Sequence, residues 1–172
     1  MKFALPVTLT ALFCAVLLSG CSAPTATCPK IGDKAPDFTL SSIDGREVSL
    51  NSYAGKAVII NTWDVDCAHC DEEMPFFQQL YDKYTDDQLV FLSIDTGYDS
   101  TSSIKEYLKK NNYTFSVLQD YGGKVLKPKY CFTGGNPYTV FIDSNGIIKH
   151  IQPGSFPTQK ELDNVVQGLI GQ

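Results

Sequence analysis

The chain has 172 residues, of which 43% are hydrophobic and 19% are charged, and its formal net charge is -5. This length and composition describe one globular domain and exclude disorder, collagen and coiled coil. Because 19 acidic side chains face 14 basic ones and no run of Lys or Arg occurs, nucleic acid is excluded as an expected partner.

The first 20 residues have the features of a secretory signal. Met1 and Lys2 precede an apolar run, Ala4 to Leu18, that is too short and too lightly flanked for a comfortable membrane span. The four residues from Leu18 to Cys21 resemble the lipobox of bacterial lipoproteins, where cleavage falls before a lipidated Cys. We therefore expect residues 1–20 to be a lipoprotein signal peptide, residues 21–30 a lipidated Cys and tether, and residues 31–172 the folded domain. The alternative is an uncleaved anchor, and either arrangement puts the domain in the cell envelope, outside the cytoplasm and facing the periplasm.

The first half of the domain alternates strands and helix. Segments 37–40 and 47–50 alternate polar and apolar residues around Asp44-Gly45, which predicts a hairpin. Segments 57–62 and 89–94 are apolar, β-branched runs typical of strands buried on both faces. Between them, apolar residues from Phe76 to Tyr84 recur at helical spacing, so the two strands are predicted to be parallel and joined by a right-handed crossover.

The second half predicts three further helices, a short extra strand and an antiparallel strand pair. A helix capped by Ser102 or Ser103 is predicted to run through Lys110, followed by a short extra strand at 114–117 and a shorter helix. Segments 138–142 and 147–151 flank an Asn-Gly turn, and Thr158 with Glu161 forms a capping box for the last helix. The sum is an α/β fold with a mixed sheet flanked by helices and an added N-terminal hairpin.

The segment Cys67-Ala68-His69-Cys70 follows a buried strand and begins a helix, and two kinds of site compete for it. A tetrahedral metal site needs two more ligands, but no second close Cys or His pair exists. A redox pair needs nothing more, because a helix N-terminus favours the thiolate of the first Cys, and the second Cys, one turn later, can resolve a mixed disulfide. We therefore predict a redox-active disulfide and no metal or other cofactor.

The chain also resembles a known family. Residues 57–63 with the Cys pair and Glu73-Met74-Pro75 are similar to the thioredoxin fold in its extracytoplasmic TlpA/ResA-like branch, a group of AhpC/TSA-Redoxin-like thiol-disulfide oxidoreductases. Residues 31–40 are similar to that branch's opening segment, and residues 136–143 to its segment with a cis-proline. The order of elements matches from Ile31 to about Leu169.

The resemblance implies roles for four residues. It makes Cys67 the exposed nucleophile, Cys70 the resolving thiol, and Pro137 a cis-proline that presents backbone to the substrate. It makes Glu73 a partly buried acid with a raised pKa that shuttles protons. The alternative for Glu73 is that it complements the helix dipole, as Asp71 and Glu72 do.

The residues around the cysteines differ from the family pattern and are predicted to tune the redox potential. Asp66 replaces a Trp that often precedes the first Cys, and His69 stands where a Pro is common. A protonated His69 stabilises the Cys67 thiolate. The five acids in residues 61–73 destabilise that thiolate, and the opposing free energies are of similar size. The sequence therefore leaves the direction of electron flow open. Trp63 is predicted to lie in the core and to report the redox state optically.

The leading hypothesis is a membrane-anchored thiol-disulfide oxidoreductase that reduces disulfides of exported proteins. Its expected partners are proteins with cysteines or disulfides and a membrane-bound electron donor. Three alternatives stay open: a disulfide-inserting oxidase, a copper-binding assembly protein with His150 as third ligand, and a peroxiredoxin-like peroxidase. The peroxidase alternative is weakened because Asp64 stands where a peroxide-binding Thr is needed. Cys28 and Cys131 are either a structural disulfide or two separate buried thiols.

Overall fold

The computed structural model describes residues 28–133 and 135–171, so the signal peptide, Cys21 and most of the tether lie outside the described residues. Among the residues that are described, no helix is long and apolar enough to cross a bilayer. The strands are β1 Thr39–Ser42, β2 Glu47–Ser49, β3 Val58–Trp63, β4 Val90–Asp95, β5 Val117–Gln119, β6 Tyr138–Ile142 and β7 Ile148–Pro153. The helices are α1 Ala68–Lys83, α2 Thr101–Asn111, α3 Leu126–Tyr130 and α4 Gln159–Ile170.

All seven strands join one mixed sheet in the order β2-β1-β5-β4-β3-β6-β7. Strands β3, β4 and β5 are parallel, whereas β6 is antiparallel to β3 and β7 is antiparallel to β6. The β1–β2 hairpin extends the sheet by pairing antiparallel with β5. This arrangement confirms the thioredoxin-like α/β fold with an added N-terminal hairpin.

Apolar packing covers both faces of the sheet, and β3 at its centre is buried along its whole length. On one face, Val58 and Ile60 pack with α3. On the other face, Ile59 packs with α1 and α4. Trp63, on the same face, packs against the first turns of α1 and against α2. Because successive strand residues point to opposite faces, a continuous apolar run is what such a doubly covered strand requires. The carboxyl end of β3 is thereby held rigidly where α1 begins.

Two local predictions were wrong. The cap of α2 is Ser100 rather than Ser102 or Ser103, because the Ser100 Oγ accepts the N–H of Ser103 at 3.1 Å. The extra strand runs over Val117–Gln119 instead of 114–117, because the Thr114 N–H donates to the side chain of Gln78 on α1 and is drawn away from the sheet.

Cys28 and Cys131 form a disulfide with a Cα–Cα distance of 5.4 Å, so the alternative of two separate buried thiols was wrong. The disulfide joins the start of the described chain to the residue after α3, 103 positions later. The same N-terminal segment is held near β7, since the Gly32 N–H donates to the Ile148 carbonyl and the Ile148 N–H donates to the Asp33 carbonyl.

Candidate active site

The two cysteines occupy the junction of β3 and α1. Cys67 is the N-cap of α1, and its Sγ accepts the N–H of Cys70 at 3.2 Å. The two sulfurs are bonded to each other. Cys67 is partly exposed, whereas Cys70 is completely buried, so only Cys67 can meet a sulfur from another protein. A backbone N–H and the positive end of the helix dipole both favour a thiolate at Cys67.

Glu73 lies one turn after Cys70 and is fully buried. Its Oε1 accepts from Asn61 Nδ2 at 2.8 Å and its Oε2 accepts from the Phe156 N–H at 3.0 Å. Burial raises the pKa of Glu73 to about 7, because the loss of water outweighs these two hydrogen bonds, which lower it. The predicted raised pKa is confirmed, although the side chain is buried completely rather than in part. A carboxyl group with this pKa can both accept and release a proton near neutral pH.

Asn61 belongs to this site and was not predicted. It is fully buried on β3, and its Nδ2 donates to Thr139 Oγ1 as well as to Glu73. Its Oδ1 has no hydrogen-bond partner within residues 28–133 and 135–171. The signal in the sequence was a lone amide in an otherwise apolar strand, since such a residue needs a buried polar partner.

Pro137 immediately precedes β6, and the Asn136–Pro137 peptide bond is cis, as the resemblance implied. The Pro137 carbonyl accepts the N–H of Gly154 at 2.9 Å, which fixes this turn to the end of β7. A groove of about 460 Å³ runs beside it, and His69, Pro137 and Tyr138 are among its lining residues. Pro137 and the helix turn that carries the cysteines therefore border the same open groove.

The three residues predicted to tune the potential lie in different environments. The side chain of His69 is 75% exposed, and its Nδ1 is 3.4 Å from Glu72 Oε2. Asp66 is exposed. Trp63 is fully buried in a cluster that includes Cys70, and its Nε1 donates to Ser93 Oγ at 2.8 Å. The predicted core position of Trp63 is confirmed, and its contact with the Cys70 environment makes it a suitable optical reporter.

The geometry of the described residues does not favour the copper-binding alternative or the peroxidase alternative. Across those residues, no group of three or more His, Cys, Asp and Glu side chains has an arrangement that could hold a metal ion. His150, the suggested third copper ligand, lies in β7 with its ring against Phe141. At the position where a peroxidase needs Thr, the carboxylate of Asp64 accepts a hydrogen bond from Asn136 Nδ2 at 2.8 Å.

Comparison with known proteins agrees with this geometry. The AhpC/TSA family model matches residues 31–151. The thiol-disulfide oxidoreductase ResA of Geobacillus thermodenitrificans is 33% identical over 143 residues, covering 83% of this chain and 80% of that protein.

Two solved structures show the same fold. A Chlorobium tepidum protein assigned as the thiol:disulfide interchange protein DsbE is 26% identical, with a TM-score of 0.72 over 83% of this chain and 99% of that chain. The exposed lipoprotein thioredoxin of Streptococcus pneumoniae is 28% identical, with a TM-score of 0.66 over 78% of this chain and 100% of that chain. Since the family model covers most of the sequence and a ResA relative matches over most of both chains, this chain belongs to the AhpC/TSA family, as a thioredoxin-fold thiol-disulfide oxidoreductase.

Proposed function

We propose that this protein reduces disulfides of exported proteins through the Cys67–Cys70 dithiol. The observation that carries the direction is the charge around Cys67. His69, the one cationic candidate in residues 61–73, lies beside the Glu72 carboxylate, and Asp66 is exposed next to the nucleophile. Strongly oxidising dithiols owe their potential to a stabilised thiolate. Here the acids oppose that stabilisation, which favours a reductant.

The reaction transfers two electrons to the client. The Cys67 thiolate attacks one sulfur of the client disulfide, forms a mixed disulfide and releases the other client sulfur as a thiolate. Cys70 gives its proton to the Glu73 carboxylate and attacks the Cys67 sulfur. The second client thiolate leaves, and the Cys67–Cys70 disulfide forms. A dithiol of a membrane-bound donor then returns two electrons by the same exchange.

The groove beside Pro137 supports this assignment. A client segment lying there contacts His69, the residue before Cys70 in the active-site turn, as well as Pro137 and Tyr138. Because Pro137 is tied to Gly154 and Asn136 to Asp64, the groove wall is held in place before a client arrives. A preorganised wall lowers the entropy lost when an extended segment binds.

The reduction potential of the Cys67–Cys70 couple tests the direction. The protein is equilibrated in graded glutathione buffers while Trp63 fluorescence and thiol alkylation are followed. We expect a potential below about -220 mV, which suits a reductase. A value near about -120 mV would assign the protein to the runner-up function, a disulfide-inserting oxidase. A Cys28→Ser/Cys131→Ser variant is the control, because its titration reports the Cys67–Cys70 couple alone.

We also propose that Cys21 is lipidated and holds the domain on the outer side of the membrane. Support comes from the sequence of residues 18–21 and from the similarity to a pneumococcal protein described as an exposed lipoprotein. A Cys21→Ser variant is expected to leave the membrane fraction and to lose incorporation of labelled fatty acid. Cys14→Ser, in the predicted signal peptide, is the matched control and should stay membrane-bound. If Cys21→Ser remains membrane-bound, the uncleaved apolar segment is the anchor instead.

A further inference from the structure

A second buried acid lies at the carboxyl end of the sheet and takes no part in the exchange steps above. Asp95 is the last residue of β4 and is the register neighbour of Trp63 on β3. It is 0% exposed, and neither carboxyl oxygen makes a hydrogen bond of good geometry among the described residues. The polar groups that approach it are the Asp99 side chain and the Gly97 N–H. A buried carboxylate without a well-aligned partner is very costly, so this environment favours the neutral acid.

Two other acids adjoin Asp95, and each anchors a loop. We call Asp64 and Asp99 the bridging acids. The Asp99 Oδ2 accepts the N–H of Val65 at 3.1 Å, and the Asp64 Oδ2 accepts Asn136 Nδ2 at 2.8 Å. Val65 belongs to the active-site loop, residues 64–67, and Asn136 belongs to the cis-proline loop, residues 135–137. Asp64 therefore joins the active-site loop to the cis-proline loop, and Asp99 joins the active-site loop to the segment after β4.

The packing between the bridging acids is tight. A Cβ placed on Gly97 would lie 2.5 Å from Asp99 Oδ2 and 2.7 Å from Asp64 Cβ. The loop after β4 thus passes between the two side chains with no room for a larger residue. A shift of either acid would be transmitted to the loop that it holds.

No cation balances this group in the described part of the chain. The ion pairs found there join other residues, and none includes Asp64, Asp95 or Asp99. On the β5 side, the register neighbour of Asp95 is uncharged Gln119, and the Asp120 carboxylate accepts the N–H groups of Val125 and Leu126. Burial first, then a hydrogen bond to the Asp99 side chain and the charges of Asp99 and Asp64, raise the pKa of Asp95 to about 8, and a hydrogen bond from the Gly97 N–H opposes them.

We propose that Asp95 is a positioning residue for disulfide exchange: while uncharged, it lets the two bridging acids hold the active-site loop against the cis-proline loop. When Asp95 ionises, three buried or half-buried carboxylates repel one another. The bridging acids move apart, the Val65 N–H loses its acceptor, and the Asn136 amide keeps only Thr96 Oγ1. The thiolate of Cys67 then no longer meets a client at the correct place, so exchange slows while the cysteines themselves are unchanged.

The test compares the intact protein with an Asp95→Asn variant, which is neutral at every pH and nearly the same shape. The reduced protein is mixed with a disulfide-bonded peptide, and the single-turnover rate is measured from about pH 6 to pH 9. We expect the two rates to agree within about twofold at pH 6, and the ratio of wild type to variant to fall about tenfold between pH 7 and pH 9. Asp87→Asn, the same substitution at an exposed position, is the control. The ratio of the wild-type rate to the Asp87→Asn rate should stay constant over the whole pH range.

A second measurement compares the oxidised wild type with oxidised Asp95→Asn, in which no active-site thiol titrates. The emission of Trp63, beside Asp95, should change with a midpoint near the pKa of about 8 in the wild type only, whereas any change caused by Glu73, with a pKa of about 7, should appear in both proteins. A ratio that stays flat from pH 6 to pH 9 while both proteins are active would overturn the proposal, even if Asp95→Asn were less stable. So would a melting temperature that calcium chloride raises in the wild type alone, because the acids would then serve a cation.

The inference rests on the proposed reductase function, and the two fail differently. If neither the wild type nor Asp95→Asn reduces the peptide at about pH 6, the proposed function fails. If both reduce it with the same pH profile, only the role of Asp95 fails.

Discussion

A Cys67→Ser variant is expected to lose disulfide reduction by roughly 1,000-fold or more, because a hydroxyl at neutral pH cannot replace a thiolate in attack on sulfur. The fold should survive the change. Cys67 is the N-cap of α1, and Ser is among the preferred N-cap residues, so its Oγ can accept the Cys70 N–H in place of the sulfur. The loss would therefore be chemical.

The measurement is the rate of reduction of a disulfide-bonded peptide, with the melting temperature recorded on the same samples. The Cys28→Ser/Cys131→Ser variant lacks the other disulfide and is the control. It should be less stable, by about 2–5 kcal/mol, since it loses a cross-link between distant parts of the chain, yet it should keep its exchange activity. Activity retained by Cys67→Ser would refute the assignment of the nucleophile.

Replacing Glu73 by Gln is expected to change the pH dependence of both stability and turnover. The pKa of Glu73 is about 7 in the folded protein and 4.5 as an unperturbed group. Between these values the folded state holds a proton that the unfolded state has lost, so stability falls as the pH rises from about 4.5 to 7. The shift corresponds to a loss of about 3 kcal/mol in the free energy of unfolding of the wild type. The Gln variant has no carboxyl group at this position and should not show this loss. Chemical denaturation of both proteins at about pH 5 and pH 8 gives the difference.

Gln is a fair neutral substitute because the surroundings can accommodate it. The Gln oxygen can accept the Phe156 N–H, and a flipped Asn61 amide can offer its Oδ1, which has no partner among the described residues, to the new amide N–H. Thr139 can then donate its hydroxyl to the same Oδ1.

The kinetic consequence concerns the second step, in which Cys70 must lose its proton. Without the Glu73 carboxylate, resolution of the mixed disulfide is expected to slow about 100-fold at neutral pH, and the first attack by Cys67 should be unchanged. The wild-type rate of resolution should rise with pH through about 7 and the variant should lack this rise. Identical profiles would leave Glu73 as a structural residue only.

Much of the fold could be predicted because its signals are local. The apolar run before Trp63 and the helical spacing after Pro75 each lie within about 10 residues, and the Asn145-Gly146 turn defines the β6–β7 pair directly. The cysteine pair was recognisable for the same reason, since a strand end, two cysteines and a helix start are contiguous.

The polar network could not be predicted, because its partners are distant in sequence. The Glu73 carboxylate meets the Phe156 N–H 83 residues later, and Asn61 meets Thr139 78 residues later. In the sequence, Asp95 is only the residue after the apolar run 89–94, and the folded chain shows that its carboxyl group is buried beside two other acids. The shifted β5 has the same origin, since a side chain on α1 holds Thr114.

The central claim is that Cys67 attacks a client disulfide and Cys70 resolves the product, and a Cys70→Ser variant tests it most directly. The reduced variant is mixed with a disulfide-bonded peptide, quenched by alkylation and analysed by mass spectrometry after digestion. We expect a stable mixed disulfide that joins the peptide to Cys67, whereas the wild type should release the peptide in its reduced form. Absence of any adduct at Cys67, with the thiol intact and the protein folded, would contradict the account.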